Sequence, residues 1–409
     1  MPTGWDAAHR IMEILEEAGH QAFLVGGSVR DRLRGAEPSD YDVATDAHPE
    51  QVMVLFPRTA PTGLSHGTVT VTAVGTPIEV TTFRREAGYS DHRRPDEVRF
   101  VSRLEEDLAR RDFTINAMAE DRRGQIIDPF DGRKDLERGR IRAVGQPTER
   151  FTEDALRMVR AVRFAAQLGF AIDPMTESAI SACRDRLQPL AVERVAAELD
   201  KMWTAPHPAY GAVLLWKHQL FRYLPPFCAW DGEGVANEPL HPLSGLDALS
   251  HSDVRWAFFL FACGVDEERM GRRLRSLRLP GRRVKRIAVI ARIAAASSVP
   301  LEEEEAKRRM LDIGGEGYQQ AISLLSALGR LEPETAKQLE RQVATWWKEM
   351  PVQRREDLAV DGRVLADALE LQPGPWLKPM LEFLLEQVAL GQIPNNEQAL
   401  IDLARSGRQ

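Results

Sequence analysis

Two carboxylates, Asp40 and Asp42, stand two residues apart in the run SDYDVAT. On a β-strand, side chains at that spacing point to one face of the sheet. Paired carboxylates repel each other, and burying them is costly without a cation between them. Hard divalent cations such as Mg²⁺ take carboxylate oxygens, and sites of this kind suit in-line phosphoryl displacement. A lone Asp-x-Asp is better read as a loop with turn-forming aspartates, so the preceding segment matters. FLVGGSVRDRLRG, residues 23–35, reads as a strand, a Gly26-Gly27-Ser28 turn and a new helix. Two glycines let a backbone approach a ligand closely, and the first turn of a helix presents free N–H groups. The segment has neither the Lys-Ser/Thr of a P-loop nor a GxGxxG pattern, so a dinucleotide fold is not indicated. Gly27 precedes Asp40 by thirteen residues, with Arg30 facing the same end. That combination points to nucleotidyl transfer.

Two basic patterns follow. Arg157, Arg160 and Arg163 recur every third residue in a segment that reads as one helix from Glu153 to Leu168. On a helix they span a sector of about 120° and rise about 9 Å, and Asp154 extends the sector at its N-terminal end. A solvated charged face, with a Glu153–Arg157 pair at i,i+4, is the plain alternative. Residues 271–286, GRRLRSLRLPGRRVKR, hold eight basic residues and no acidic one: Arg272, Arg273, Arg275, Arg278, Arg282, Arg283, Lys285 and Arg286. Such a stripe suits the phosphates of an RNA backbone. It would also arise from two amphipathic helices with basic outer faces and Leu274, Leu277 and Leu279 inside.

The elements that must position these residues divide the chain in two. Up to about residue 145 the sequence mixes periods. A helix over Trp5–Gly19 precedes strands at Ala22–Val25, Tyr41–Ala44, Thr68–Val74 and Pro77–Phe83, the last two joined by a Gly75-Thr76 turn. A helix over Val29–Arg34 and short strands at Ile126-Ile127 and Ile141–Val144 complete the reading, which is α+β. Beyond Pro147 helical periodicity dominates, broken at prolines and glycines including Gly314-Gly315. The 409 residues carry a net charge of −7, with 43% hydrophobic and 28% charged residues, which excludes global disorder. The longest apolar run, Trp256–Val265, is too short to span a bilayer, and the N-terminus has no signal-peptide core. Three widely spaced cysteines and no CxxC pair argue for a reducing cytoplasm, without disulfides or structural zinc.

LVGGSVRDRLRG and SDYDVAT together resemble the head motif of the nucleotidyltransferases that include the tRNA CCA-adding enzymes and bacterial poly(A) polymerases. LARRDFTINAMAED, residues 108–121, is similar to their second motif. EDALRMVRAVRFAAQLGF, residues 153–170, is similar to the base-recognition helix of class II CCA-adding enzymes. The likeness continues through VERV (residues 192–195) and into LAVDGRVL and LQPGPWLKPMLEFLLEQVALGQIPN near the C-terminus. It follows the compact bacterial type without an HD domain; the string His-Asp does not occur.

The resemblance implies a mixed-sheet head over residues 1–145, a neck over 146–205, and a tRNA-binding helical body over 206–320 and tail over 321–409. It implies that Asp40 and Asp42 hold Mg²⁺, that Gly27 and Arg30 contact the triphosphate, and that Arg111 contacts the nucleotide. Asp112 helps hold the ribose, and Asp154, Arg157, Arg160 and Arg163 bind or read the base. Gly26, Ser28 and the acidic Glu79 are weaker candidates. The stretch from Arg84 to Pro95 resembles a loop that assists head movement. The substrates implied are CTP, ATP and the acceptor end and T-arm of tRNA, and the basic stripe makes Arg272, Arg273, Arg275 and Arg282 the candidates for contact with the RNA. A homodimer through helical segments is suggested on the same ground.

Base choice then has a physical form. Cytosine and adenine both offer an amino donor beside an unprotonated ring nitrogen. A carboxylate such as Asp154 accepts from the amine, and a guanidinium such as Arg157 donates to the ring nitrogen. Guanine and uracil present the opposite order, and a hydrogen-bonding site rejects such mismatches strongly. An A-adding or C-adding transferase, a poly(A) polymerase and a non-catalytic RNA-binding protein of the same fold remain open at this point.

Overall fold

The computed structural model describes residues 3–72, 75–87, 97–230, 235–296 and 302–406. The chain forms two compact units, Met1–Glu233 and Gly234–Gln409. The first opens with α1 (Gly4–Glu17), started by a reciprocal Thr3–Asp6 capping box. Ala7, Ala8, Ile11, Met12 and Leu15 recur at helical spacing and bury one face of α1 in the core beneath the sheet. Then come β1 (Ala22–Val25), α2 (Gly27–Leu33), β2 (Asp42–Thr45), α3 (Pro49–Leu55), β3 (Thr59–Gly63), β4 (Thr68–Val71), β5 (Ile78–Thr82), β6 (Arg84–Ala87) and β7 (Glu97–Phe100). α4 (Leu104–Ala109), β8 (Ala119–Glu120), β9 (Ile126–Ile127), α5 (Gly132–Glu137) and β10 (Arg140–Ile141) follow.

The main sheet has the order β3-β4-β5-β2-β1-β8-β9. It is mixed: β2 and β5 run parallel, and the other neighbours are antiparallel. Its register places the site. Val25, the last residue before the glycine turn, lies opposite Asp42 on one side, and Glu79 pairs with Asp42 on the other. The expected hairpin is present as β4 and β5, with Val71 opposite Ile78. Part of its turn, and most of the expected mobile loop from Arg84 to Pro95, lie outside the described residues.

The rest of this unit is helical: α6 (Pro147–Glu153), α7 (Leu156–Leu168), α8 (Pro174–Cys183), α9 (Val192–Trp203) and α10 (Pro208–Lys217), with a two-residue β11 (Ala171–Ile172) paired to β10. α7 packs against α9 and α10. The second unit comprises α11 (Ser252–Ala262), α12 (Glu267–Ser276), α13 (Gly281–Ala296), α14 (Glu303–Ala327), α15 (Pro333–Glu349), α16 (Gly362–Ala368), α17 (Leu377–Ala389) and α18 (Glu397–Ser406). The apolar run at Trp256 belongs to α11, where every residue from Asp253 to Ala262 is buried. Among the described residues no helix is long and apolar enough to cross a membrane. The Gly314-Gly315 break appears as a kink, with Gly314 at φ 77° inside α14.

Three expectations about the site's elements are corrected. β2 starts at Asp42, so Asp40 is not on the strand and the alternation of a pleat does not set its direction. α2 begins at Gly27 rather than Val29. The helix read as continuous from Glu153 is two helices, and Asp154, with extended dihedrals of −139° and 104°, stands in the break between them. Asp154 therefore does not share the helical sector of Arg157, Arg160 and Arg163.

Candidate active site

The glycine turn is shaped by one residue above all. Gly26 has φ 75°, a conformation that L side chains rarely adopt. A Cβ there would stand 3.1 Å from Arg111 Nη1 and 4.0 Å from Asp42 Oδ2. The turn, the arginine and the acid thus meet closely here, and the positive φ calls for glycine. Ser28 is buried and donates to Val25 O (2.9 Å), closing the turn. α2 has only seven residues, so its dipole does not make a phosphate site by itself.

Arg30 is 4% exposed and held on three sides. It donates to Asn116 Oδ1 (2.7 Å) and to both oxygens of Asp31 (2.9 and 2.8 Å), and lies 5.3 Å from the Phe164 ring centroid. Arg111 reaches Asp107 Oδ2 (3.3 Å) and Asn116 O (3.5 Å), and its Nε is buried without a partner. Asp107 is almost fully buried. Burial alone would raise its pKa, but Arg110 and Arg111 beside it hold the carboxyl below the ordinary range.

Asp42 has the opposite balance. Burial, then Glu79 at the paired register position, raise its pKa; Arg111 pulls it down and Asp40 adds to the rise, leaving it at about 6. A carboxylate disfavoured by neighbouring acids in a cleft is one that a cation would stabilise. Among the described residues no cluster of three His, Cys, Asp or Glu side chains could hold a metal alone. Mg²⁺ is commonly held by one or two carboxylates together with substrate phosphates, and the donor set here fits that mode.

The neck helices close the other wall. Arg160 grips Asp112 Oδ2 through Nε (2.8 Å) and Nη2 (2.6 Å), while Asn116 Nδ2 and Phe113 N donate to Oδ1 (3.1 and 2.8 Å). Against the penalty of burial, Arg160 and Asn116 lower the Asp112 pKa to about 2. Arg163 Nε donates to Glu198 Oε2 (2.6 Å), and its guanidinium stacks 3.9 Å from the Phe164 centroid. Arg157 forms the anticipated pair with Glu153 (2.6 Å) and also donates to Arg150 O and Arg110 O (3.2 and 3.0 Å). A guanidinium has five N–H donors, so these bonds leave some for a ligand. Asp154 accepts from Leu156 N at the start of α7 (3.0 Å) and from Arg194 Nη2 (2.6 Å).

Gly26, Gly27, Ser28, Arg30, Asp40, Asp42, Arg111, Asp112, Asp154, Arg157, Arg160 and Arg163 all line one cavity of about 980 Å³. Its walls carry nine arginine and lysine side chains against six carboxylates, in a chain whose net charge is −7. Glu79 is exposed and outside this lining, but adjoins Asp42 through the sheet. Arg160 and Arg163, expected to read the nucleotide, are already engaged with Asp112 and Glu198. Arg272, Arg273, Arg275 and Arg282 belong to the second unit, on α12 and α13. There Leu274 and Leu277 are buried as expected, and Leu279 is half-buried. Arg272, Arg275 and Arg282 are exposed, whereas Arg283 is paired with Asp253.

Sequence reasoning missed Asn116, Phe164, Arg194, Glu198 and Lys201. Arg194, Glu198 and Lys201 fall at i, i+4 and i+7 in VERVAAELDK, a spacing that marks one helix face but does not say what the face meets.

Comparison with known proteins gives this geometry a family. Residues 22–142 match the Poly A polymerase head domain, 169–230 the probable RNA and SrmB-binding site of polymerase A, and 248–404 the putative tRNA nucleotidyltransferase domain 2. Over 408 residues the chain is 38% identical to the CCA-adding enzyme of Lactiplantibacillus plantarum, covering 99% of this chain and 97% of that one. The chain belongs to the CCA-adding enzymes. The CCA-adding enzyme of Geobacillus thermodenitrificans is likewise 38% identical over 400 residues, covering 98% and 96% of the two chains. The fold agrees: the Bacillus stearothermophilus CCA-adding enzyme, solved in complex with CTP, matches with a TM-score of 0.82 at 35% identity, over 100% of this chain and 98% of that one. Membership of the CCA-adding enzymes sets aside the non-catalytic reading and makes the chain a tRNA nucleotidyltransferase. Nucleotidyltransferases of this kind generally use a divalent metal.

Proposed function

We propose that the chain builds and repairs the 3′-terminal CCA of tRNA from CTP and ATP without a nucleic-acid template, releasing pyrophosphate. The observation that carries this reading is a net-positive cavity of about 980 Å³ that gathers the acid pair, the glycine turn and the neck residues. Its excess of cations suits a triphosphate, and Arg30 and Arg111 are braced by Asp31, Asp107 and Asn116 so that they need not reorganise to meet it.

Asp40 and Asp42 would hold Mg²⁺, which supplies activation of the tRNA 3′ hydroxyl and charge stabilisation on the leaving oxygens. The hydroxyl attacks the nucleotide α-phosphate in line, and pyrophosphate departs toward Arg30, Arg111 and the turn at Gly27. Asp112, whose oxygens already accept from Arg160, Asn116 and Phe113, helps hold the ribose by fixing that wall. Asp154 accepts from the exocyclic amine of C or A, and Arg157 donates to the neighbouring ring nitrogen. Arg160 and Arg163 shape this wall through Asp112, Glu198 and Phe164.

In the second unit, Arg272, Arg275 and Arg282, with the half-buried Arg273, present a basic edge at the α12–α13 turn. It suits backbone contacts to duplex RNA, which is recognised largely by shape. Three widely spaced cysteines suit a reducing compartment, and we place the chain's work in the cytoplasm on that ground.

The test is an incubation with labelled CTP or ATP and tRNAs ending before, within or after CCA. The reading predicts that each tRNA is completed to CCA and then left alone. Addition of A only, of C only, or of a long A tail would overturn it in favour of a narrower transferase or a poly(A) polymerase.

A further inference from the structure

Asp40 lies outside β2, is exposed, and among the described residues receives one side-chain hydrogen bond, from the adjacent Ser39 Oγ (3.1 Å). That bond is local and does not tie the acid to the rest of the fold. The residue between the two acids does. Asp40 and Asp42 both line the cavity, whereas Tyr41 packs on the apolar core that α1 closes beneath the sheet. Its ring meets α1 at two points. It lies against Gly4, where a Cβ would come within 2.7 Å of Tyr41 Cδ2 and 3.0 Å of Cε2. It also meets the Trp5 indole edge-on, with ring centroids 6.3 Å apart and planes at 64°. Trp5 is itself held. The Arg32 guanidinium of α2 stands 3.4 Å from the indole centroid, and the His9 ring 3.9 Å from it. Arg32 in turn reaches Glu120 on β8 (3.4 Å). Gly4, Trp5, Arg32 and Tyr41 all lie outside the cavity lining.

We propose that Tyr41 and Trp5 are positioning residues for the reaction: Trp5 and Gly4 form a seat for the Tyr41 ring, and seating that ring aims Asp40 and Asp42 together at one cation. An aromatic side chain turns about only two bonds, so a seated ring fixes its own backbone at little entropic cost. The acids on either side then keep their directions before a metal or nucleotide arrives. Groups one step outside a metal's ligands commonly carry about ten- to a hundredfold of its affinity. The inference rests on the reading of Asp40 and Asp42 as the metal-holding acids, so the experiment includes Asp42 itself.

Mn²⁺ binding to the tRNA-free chain is titrated by the EPR signal of the free ion, and CTP binding is measured separately in EDTA. The proteins are wild type, Gly4→Ala, Trp5→Ala, Tyr41→Ala, Tyr41→Phe and Asp42→Asn, with melting temperatures followed alongside. Asp42→Asn marks loss of the site. Gly4→Ala, Trp5→Ala and Tyr41→Ala are each expected to weaken Mn²⁺ by about tenfold or more, while CTP in EDTA stays within about twofold of wild type. Gly4→Ala is the sharpest of the three: it adds one methyl group, costs the helix nothing in propensity, and displaces the ring. Tyr41→Phe keeps the ring and should bind Mn²⁺ as the wild type does. If Asp42→Asn loses Mn²⁺ while the three alanine variants bind it like wild type, the aromatic seat is ordinary core and the inference fails. Equal losses of Mn²⁺ and of CTP in EDTA would show a general loosening and overturn it too. If Asp42→Asn itself binds Mn²⁺ like wild type, the metal-holding reading of the acid pair fails, and the inference with it. Should Trp5→Ala and Tyr41→Ala not fold, Gly4→Ala decides, and wild-type Mn²⁺ affinity there overturns the inference.

Discussion

Asp42→Asn is expected to abolish nucleotide transfer, by at least about a thousandfold, while making the unliganded protein more stable. The two effects have one origin. Asp42 carries a pKa of about 6 against an ordinary 3.8, because burial and then Glu79 and Asp40 disfavour its charge more than Arg111 favours it. A carboxyl whose folded pKa is raised weakens the fold above that pKa, and the penalty disappears as pH falls below the ordinary value. At pH 8 asparagine removes a cost of up to about 3 kcal/mol; at pH 4 there is little left to remove. Melting temperatures of wild type and Asp42→Asn should therefore differ most at pH 8 and converge toward pH 4. The same proton competes with a divalent cation, so metal affinity of the wild type should weaken below about pH 6. Asp40 is exposed, so Asp40→Asn should lose transfer without the gain in stability. Full turnover by either variant, or a lower melting temperature for Asp42→Asn at pH 8, would refute the assignment of these acids.

The second large effect falls on nucleotide choice. Asp154→Ala combined with Arg157→Ala should lower discrimination against UTP and GTP by about a hundredfold or more, since mismatched polar groups are then no longer forced together. Metal dependence should change far less, because neither residue adjoins the acid pair's register. Arg157 also donates to Arg150 O and Arg110 O, so the double variant will loosen the α6–α7 junction, and its melting temperature must be followed alongside. Asp154→Asn, which keeps the shape and reverses part of the hydrogen-bond pattern, provides the control. The measurement is single-nucleotide incorporation with each of the four nucleotides. Unchanged selectivity in both variants would end the account of base reading.

How much of this was legible before the fold was known depended on how local the cause was. The strand–glycine–helix turn at residues 22–33 is written in an apolar run stopped by two glycines, and the structure departs from that reading only in the bounds of α2. The acid pair was visible as chemistry, but its geometry was not what a strand implies. Asp40 lies before β2, and the strongest like-charge neighbour of Asp42 is Glu79, which only sheet register brings alongside. The break at Asp154 is hidden because the residues around it are good helix formers. There Asp154 accepts from Leu156 N and from Arg194 on α9, and the second of these is a tertiary contact. For the same reason Arg160 and Arg163 read as free cations although both are held by buried carboxylates. Nothing in the periodicity of α7 says that Asp112 and Glu198 will fold against it.

The central claim is that one cavity serves both nucleotides, with the acid pair below the triphosphate and Asp154 and Arg157 at the base. Equilibrium titration of the tRNA-free enzyme with CTP and ATP, each alone and then one against saturation by the other, tests it most directly. The account predicts one nucleotide bound per chain in total, with CTP and ATP mutually exclusive and both weakened by Asp154→Asn. Simultaneous binding of CTP and ATP to one chain would contradict it.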